Sequence, residues 1–260
     1  MTCVNTTVQR LIKGDCLKEM CFLIKQGVKV DMILCDLPYG ITQNKKDIML
    51  PFGELWRLYE SIAKDNAAIV LTASNGFFID LINSNRKLYR YDLVWDKVLT
   101  SGFLNANRQP LRQHENIAVF YKKQPVYNPQ FKKGKPLHGK GSEYKIKEPV
   151  NNNYGNFSTI DDTRKGSTEK YPTSIIKFPK SHPSKALHPT EKPVELFSWL
   201  IATYTNIGGL VLDNCMGSGT TGVACKILNR NFIGIEINEK HFSVAEKRIN
   251  NQHFSRELIV

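Results

Sequence analysis

Apolar residues gather in short runs separated by polar, turn-forming stretches. VDMILCD (30–36), AAIVLTA (67–73), YDLVW (91–95), ENIAVFY (115–121), GLVLDNC (209–215) and NFIGIEI (231–237) are too short for ordinary helices. Rich in β-branched and aromatic residues, they read as buried strands. Between them FGELWRLYESIAKD (52–65) and TGVACKILNR (221–230) repeat apolar residues at helical spacing. Strands alternating with amphipathic helices predict an α/β protein with parallel strands joined by crossover helices. The pattern fails only between Tyr121 and Lys185. That stretch holds seven of the 12 prolines, with runs such as FKKGKPLHGKG and VNNNYGN, so it can be neither a regular helix nor a central strand.

Charge sharpens the same division. The 260 residues carry a formal charge of +12. Residues 121–185 hold 14 Lys/Arg against five acids, a balance of +9, which leaves only +3 for the rest. Sixty residues without regular structure are too many for an incidental loop, and a functional insertion is expected. Its interleaved aromatics (Tyr127, Phe131, Tyr144, Tyr154, Phe157, Tyr171, Phe178) suit either base stacking or the packing of a small subdomain. A composition of 41% hydrophobic and 23% charged residues excludes a disordered, collagen-like or disulfide-stapled chain. No uncharged run approaches the length needed to cross a bilayer, and MTCVNTTVQRLIKGD lacks the apolar core of a secretory signal. The six cysteines show no CxxC pairing and no histidines at zinc spacing. Isolated thiols of this kind suggest a reducing cytoplasm, and no metal is expected.

Three strings carry candidate chemistry. The first, GLVLDNCMGSGTTGVACKIL, is a strand, then Asp213, then a turn at Gly217-Ser218-Gly219 opening a helix. Glycines there let a ligand approach the backbone, and helix-start amides face it. The next strand ends in Glu236, 23 residues after Asp213, where an acid can accept from a ribose diol. This is half of a Rossmann-like nucleotide site. GSGTTG also satisfies GxGxxG, so this motif leaves a dinucleotide enzyme open. The second string, VDMILCDLPYG, ends a strand in Asp36-Leu37-Pro38-Tyr39-Gly40. Chemistry on an exocyclic amine needs two acceptors for its N–H groups and an aromatic face for its ring. Asp36, the Leu37 carbonyl and Tyr39 could supply them, although such residues also suit a plain strand-end turn. The third, ALHPTEKPVELFSWLIATYTN, places His188, Thr190 and Lys192 before a helix, and by itself marks only a helix start.

In this order, the strings resemble S-adenosylmethionine-dependent DNA amino-methyltransferases of the permuted β-class arrangement, the N6-adenine/N4-cytosine family. DLPYG is similar to the catalytic [DNS]PP[YFW] motif, DNCMGSGTTG to the cofactor loop, GIEIN to the ribose-binding acid and LIKGDCLKEM to the adenine-binding segment. HPTEKP is similar to the stretch before the cofactor site, and YDLVWDK with HENIAVFYKK to the strand pair completing the sheet. The likeness spans residues 8–124 and 185–252. It implies a Rossmann-like methyltransferase fold, mostly parallel with one antiparallel strand and helices on both faces. Residues 1–124 would form the catalytic half, 125–184 a basic target-recognition insertion and 185–260 the cofactor-binding half.

The resemblance further implies that Asp36, Leu37, Pro38 and Tyr39 are catalytic. Gly217, Ser218, Gly219 and Thr220 would cradle the methionine part of the cofactor, with Thr190 and Lys192 near its carboxylate. Glu236 would hold its ribose and Asp15 with Cys16 its adenine, while Asp36, Asp213 and Cys215 also line the site. The chain departs from the family at Leu37, where a proline is usual, and at Asp213-Asn214-Cys215, where the family has DPF. An Asp at the first motif position favours adenine N6 over cytosine N4. The implied partner is DNA, with a homodimer as a modest expectation and no membrane. The rival readings are a cytosine-N4 enzyme, a non-catalytic nucleic-acid module and, least well, an NAD-dependent dehydrogenase.

Overall fold

A computed structural model describes residues 7–40, 48–136, 166–180 and 192–250. Two compact units emerge, Met1–Asn128 with Ser174–Val260, and Pro129–Thr173.

The first unit is built on an eight-stranded sheet. In chain order its strands and helices are β1 (Gln9–Lys13), α1 (Cys16–Lys25), β2 (Val30–Cys35), α2 (Phe52–Ile62), β3 (Ala63–Ala73), α3 (Asn75–Ser84), β4 (Tyr89–Ser101) and β5 (Arg112–Phe120). After the second unit come β8 (Ile175–Lys177), α4 (Val194–Tyr204), β9 (Leu210–Asp213), α5 (Thr220–Ile227), β10 (Asn231–Glu236) and α6 (Glu239–Asn250). The strand order is β1-β10-β9-β2-β3-β5-β4-β8. Only β5 runs against its neighbours β3 and β4, and every other pairing in this sheet is parallel. The expected single antiparallel strand is therefore this one.

The apolar runs explain the layering. Successive side chains of a strand point to opposite faces. Ile33 and Cys35 pack with α1, α2 and α3 through Met20, Leu23, Leu55, Tyr59 and Phe77. Met32 and Leu34 pack on the other face with α4, α5 and α6 through Leu200, Val223 and Ile249. Both faces of the central strands are thus dry, which is why their sequences are almost wholly apolar. Helix α2 ends at Ile62, and the expected tail Ala63–Asp65 instead starts β3.

The second unit, among its described residues, contains a two-stranded antiparallel pair, β6 (Lys132–Lys133) and β7 (Glu169–Lys170), with Phe131 and Tyr171 rings 5.0 Å apart. Ser174–Lys180 lies in the first unit. There β8 forms the edge of the sheet by pairing with β4, and Trp95 Nε1–H donates to the Phe178 carbonyl at 2.8 Å.

Candidate active site

The described site residues lie in the first unit, at the carboxyl ends of parallel strands, where an open α/β sheet receives its ligands. Of the predicted residues, Thr190 lies outside the described residues, as does His188.

The glycine turn follows β9. Gly217 and Gly219 have φ of 52° and 82°, left-handed values that glycine adopts without penalty. At Gly219 a Cβ would also lie 2.9 Å from the Ala245 Cβ of α6, so glycine is required there for packing. At Gly217 a Cβ would meet nothing within 4 Å, so the space above this backbone is open. Gly217 N–H donates to Glu236 Oε2 at 3.0 Å, and Asn238 N–H to Oε1 at 2.7 Å. Glu236 is thereby fixed at the tip of β10. Gly14 N–H donates to the Glu236 carbonyl at 3.1 Å, which sets Asp15 beside it. Asp15 caps α1 by accepting from Lys18 N–H at 3.0 Å. Ser218 is held by Arg248, whose Nη1 donates to its carbonyl and hydroxyl at 2.7 and 2.8 Å. Thr220 begins α5 and is buried.

Asp213 and the two residues after it lock the turn. The Asp213 carboxylate accepts from Cys215 N–H at 3.1 Å and from the Thr221 hydroxyl. Burial nevertheless pushes its pKa up to about 7. Asn214, standing where the family has proline, accepts from the buried Tyr59 hydroxyl at 2.6 Å. Three of the thiols gather beside this turn. Cys215 stands near both Cys16 and Cys35, with Asp213 beside Cys35, and its sulfur accepts from the Asn214 amide at 3.5 Å. The Cys215 side chain and then burial raise the Cys16 pKa, and burial pushes Cys35 up to about 12. Linear spacing cannot reveal this trio, because the ends of α1, β2 and β9 meet only in the folded sheet. All five described cysteines are free.

Asp36 follows β2. Its Oδ1 accepts from the Tyr39 hydroxyl at 2.8 Å and from the Thr72 hydroxyl at the end of β3. Its Oδ2 accepts from the Lys192 ammonium at 2.6 Å. Tyr39 is stacked on Phe77, centroids 4.7 Å apart at 26°, with Phe52 5.9 Å from Phe77. Burial, then the charges of Asp36 and Glu115, hold the Tyr39 phenol protonated and donating. Leu37 is buried and packs into the core cluster of α1–α3, which accounts for an apolar side chain in place of proline.

A second carboxylate, not selected from the sequence, completes this corner. Glu115 Oε1 lies 3.3 Å from Lys97 Nζ and its Oε2 3.6 Å from Lys192 Nζ. That Oε2 is buried without a hydrogen bond. Burial pulls the Lys192 pKa down, but the carboxylates of Asp36 and Glu115 outweigh it and the net shift is upward. Lys97, also buried, is lowered by desolvation despite Glu115. Thr72, Lys97 and Glu115 sit where apolar strands end. A polar residue closing a buried run is the one signal that could have found them.

Taken together, the corner offers an anionic acceptor, an aromatic plane and a shared ammonium, beside an open glycine turn. Among the described residues no group of His, Cys, Asp and Glu is arranged to hold a metal, and no helix is long and apolar enough to cross a membrane.

Known proteins are similar to this chain. Residues 30–247 match the DNA methylase family of N6 and N4 amino-methyltransferases. The type II methyltransferase M.HinfI of Haemophilus influenzae is 43% identical over 272 residues, covering 95% of this chain and 69% of the relative. The DNA adenine methyltransferase YhdJ of Escherichia coli K12 is 26% identical over 269 residues, covering 95% of this chain and 85% of that protein. The crystal structure of an M1.HpyAVI–SAM complex superposes with a TM-score of 0.64 at 26% identity, over 94% of this chain and 100% of that one.

Proposed function

The chain belongs to the DNA methylase family of N6 and N4 amino-methyltransferases, SAM-dependent enzymes that act on DNA, and from that premise we propose that it methylates the exocyclic N6 of adenine in a nucleotide rotated out of the duplex. The observation that carries the reading is Asp36, a carboxylate at the end of β2 whose lone pairs are organised by Tyr39, Thr72 and Lys192.

The glycine turn suits S-adenosylmethionine. Space is open at Gly217, the acid Glu236 stands at the tip of β10, and Asp15 is tied alongside it. Gly217–Thr220 would hold the methionine part, Glu236 the ribose, and Asp15 with Cys16 the adenine, with Cys215 lining the site. Bound there, S-adenosylmethionine would supply an electrophilic methyl for the amine nitrogen, its thioether leaving as one N–H proton is given up. Asp36 and the Leu37 carbonyl accept the two amine hydrogens and draw the nitrogen lone pair out of ring conjugation. The Tyr39 ring, backed by Phe77, stacks on the base. The amine competes at Asp36 with donors that already fill three of the carboxylate's roughly four lone-pair sites. Lys192 is the donor with another acceptor near, Glu115. Asp36 or water takes the proton.

Asp at the head of the motif and the name of the YhdJ relative favour adenine; the cytosine-N4 reading uses the same corner. The basic insertion, 125–184 by the sequence reading, is the candidate for target recognition. Asp36→Ala tests the site, because methyl transfer to duplex DNA surviving that change at near wild-type rate sinks it. Nucleoside mass spectrometry of the methylated product separates N6-methyladenine from N4-methylcytosine.

A further inference from the structure

The hairpin of β4 and β5 carries more than its root. Lys97 and Glu115, at the root, lie beside Lys192 and Asp36. Beyond them every residue from Val98 to Leu111 is exposed. Two neighbours there, Phe103 and Leu104, are 80% and 99% exposed, and Val98, Leu99 and Leu111 are exposed too. Scattered apolar residues at a surface need no explanation, but several on one projecting tip mark a contact surface.

The tip is ordered by its own backbone. Asn105 N–H donates to the Gly102 carbonyl at 2.9 Å, Ala106 N–H to Phe103 at 3.0 Å and Arg108 N–H to Asn105 at 2.9 Å. These bonds shape a 3₁₀ turn over Phe103–Asn105 that holds the apolar pair outward. Where the hairpin leaves the sheet, its register breaks between Asp96 and Ser101. Val98 there has φ of 65°, a left-handed value that a β-branched residue adopts only under strain, and its N–H is held by Asp96 Oδ1 at 2.8 Å. Bulges of this kind re-aim a strand near functional sites. Between Asp96 and Glu115 the chain has Lys97, Arg108 and Arg112 and no acid. An apolar tip between cations matches a polyanion with a stacked aromatic interior. Between the pair Trp95–Glu115 and the pair Ser101–Arg112, β5 advances three residues, about 10 Å at 3.3 Å per residue, and the surplus residues of β4 bulge out.

We propose that Phe103 and Leu104 form a wedge that enters the base stack of duplex DNA beside the nucleotide taken up at Asp36, with Arg108 and Arg112 on the flanking phosphates. The wedge rests on the reading of the site as a base-flipping methyltransferase. An apolar insertion compensates the stacking lost when the nucleotide rotates out and keeps it from returning.

The test compares the Phe103→Ser/Leu104→Ser variant with wild type on two duplexes carrying the mapped target sequence. One is fully paired, the other mismatched at the target base. The variant should melt like wild type and bind S-adenosylhomocysteine equally, since both side chains face solvent. Its kcat/KM should fall about tenfold or more on the paired duplex and less than about threefold on the mismatched one, whose target is already loosely held. Equal losses on both duplexes, or none, overturn the wedge. So does a change in sedimentation without a change in the paired-to-mismatched ratio, which assigns the pair to contact between protein copies. A wild-type protein that methylates no DNA refutes the parent reading instead.

Discussion

Lys192 sets its ammonium 2.6 Å from Asp36 Oδ2 and 3.6 Å from Glu115 Oε2, so one buried cation is shared by two carboxylates 79 positions apart in sequence. Asp36 is the proposed acceptor for the target amine, and Glu115 offers Lys192 a second seat.

Glu115→Gln removes that seat's charge and leaves Lys192 on Asp36. The expected outcome is a kcat for methyl transfer lowered about tenfold or more, some 1.4 kcal/mol of barrier. Affinity for S-adenosylhomocysteine by calorimetry should stay within about threefold. Glu115→Asp, which keeps the charge, should recover much of the rate. A loss of cofactor affinity matching the loss of kcat would instead mark Glu115 as structural.

The two glycines of the turn should fail differently. Gly217→Ala adds a methyl to open space at φ 52°, costing about 1–2 kcal/mol of stability, but fills the cofactor's place. Calorimetry should show S-adenosylhomocysteine binding weakened about tenfold or more. Gly219→Ala combines φ 82° with a 2.9 Å approach to Ala245 and should cost about 2–4 kcal/mol in denaturant unfolding.

Asp213 makes stability depend on pH. Its folded pKa, pushed up to about 7 by burial, lies above the ordinary carboxylate value. Between about pH 4 and 7 the native state therefore holds a proton that the unfolded chain has lost, and this group's contribution falls as pH rises through that window. Asp213→Asn stays neutral throughout. The melting temperature of the variant relative to wild type should rise from pH 5 to pH 8, and a flat difference would refute the shift.

Lys132, Lys133 and Lys135 belong to the second unit and are exposed. Neutralising all three to Gln should weaken DNA binding at every sequence and lower the log–log salt slope by about two to three, if each meets a phosphate. Fluorescence anisotropy between 50 and 200 mM salt, roughly the range over which such contacts show, measures it. An unchanged slope would leave the cluster a solvated surface.

Much of the fold was legible because strand and helix periods are local. The six apolar runs became β2, β3, β4, β5, β9 and β10, and the Gly-Ser-Gly turn opened α5 as its spacing required. The turn after β2 could be singled out only by its likeness to the family's motif, because Asp, Pro, Tyr and Gly by themselves also suit a plain strand-end turn. Glu115 and Thr72 escaped notice because each merely closes such a run, and nothing local says what faces it. The exposure of Phe103 and Leu104 was equally hidden. Apolar letters next to a strand read as core, and only the bulge at Val98 takes them away from it.

By itself the sequence determined the α/β class, the division between a balanced body and a basic segment, and the chemical parts at strand ends. Those follow from periodicity, charge and turn chemistry, which act over a few residues. The tertiary structure decided which parts meet. It set the strand order that brings β2, β3 and β5 side by side, so that Asp36, Thr72 and Glu115 close around Lys192, and it gathered Cys16, Cys35 and Cys215 at one point. Such contacts join positions far apart along the chain. They are fixed by how both faces of the sheet are buried, a property of the whole fold that no local segment carries.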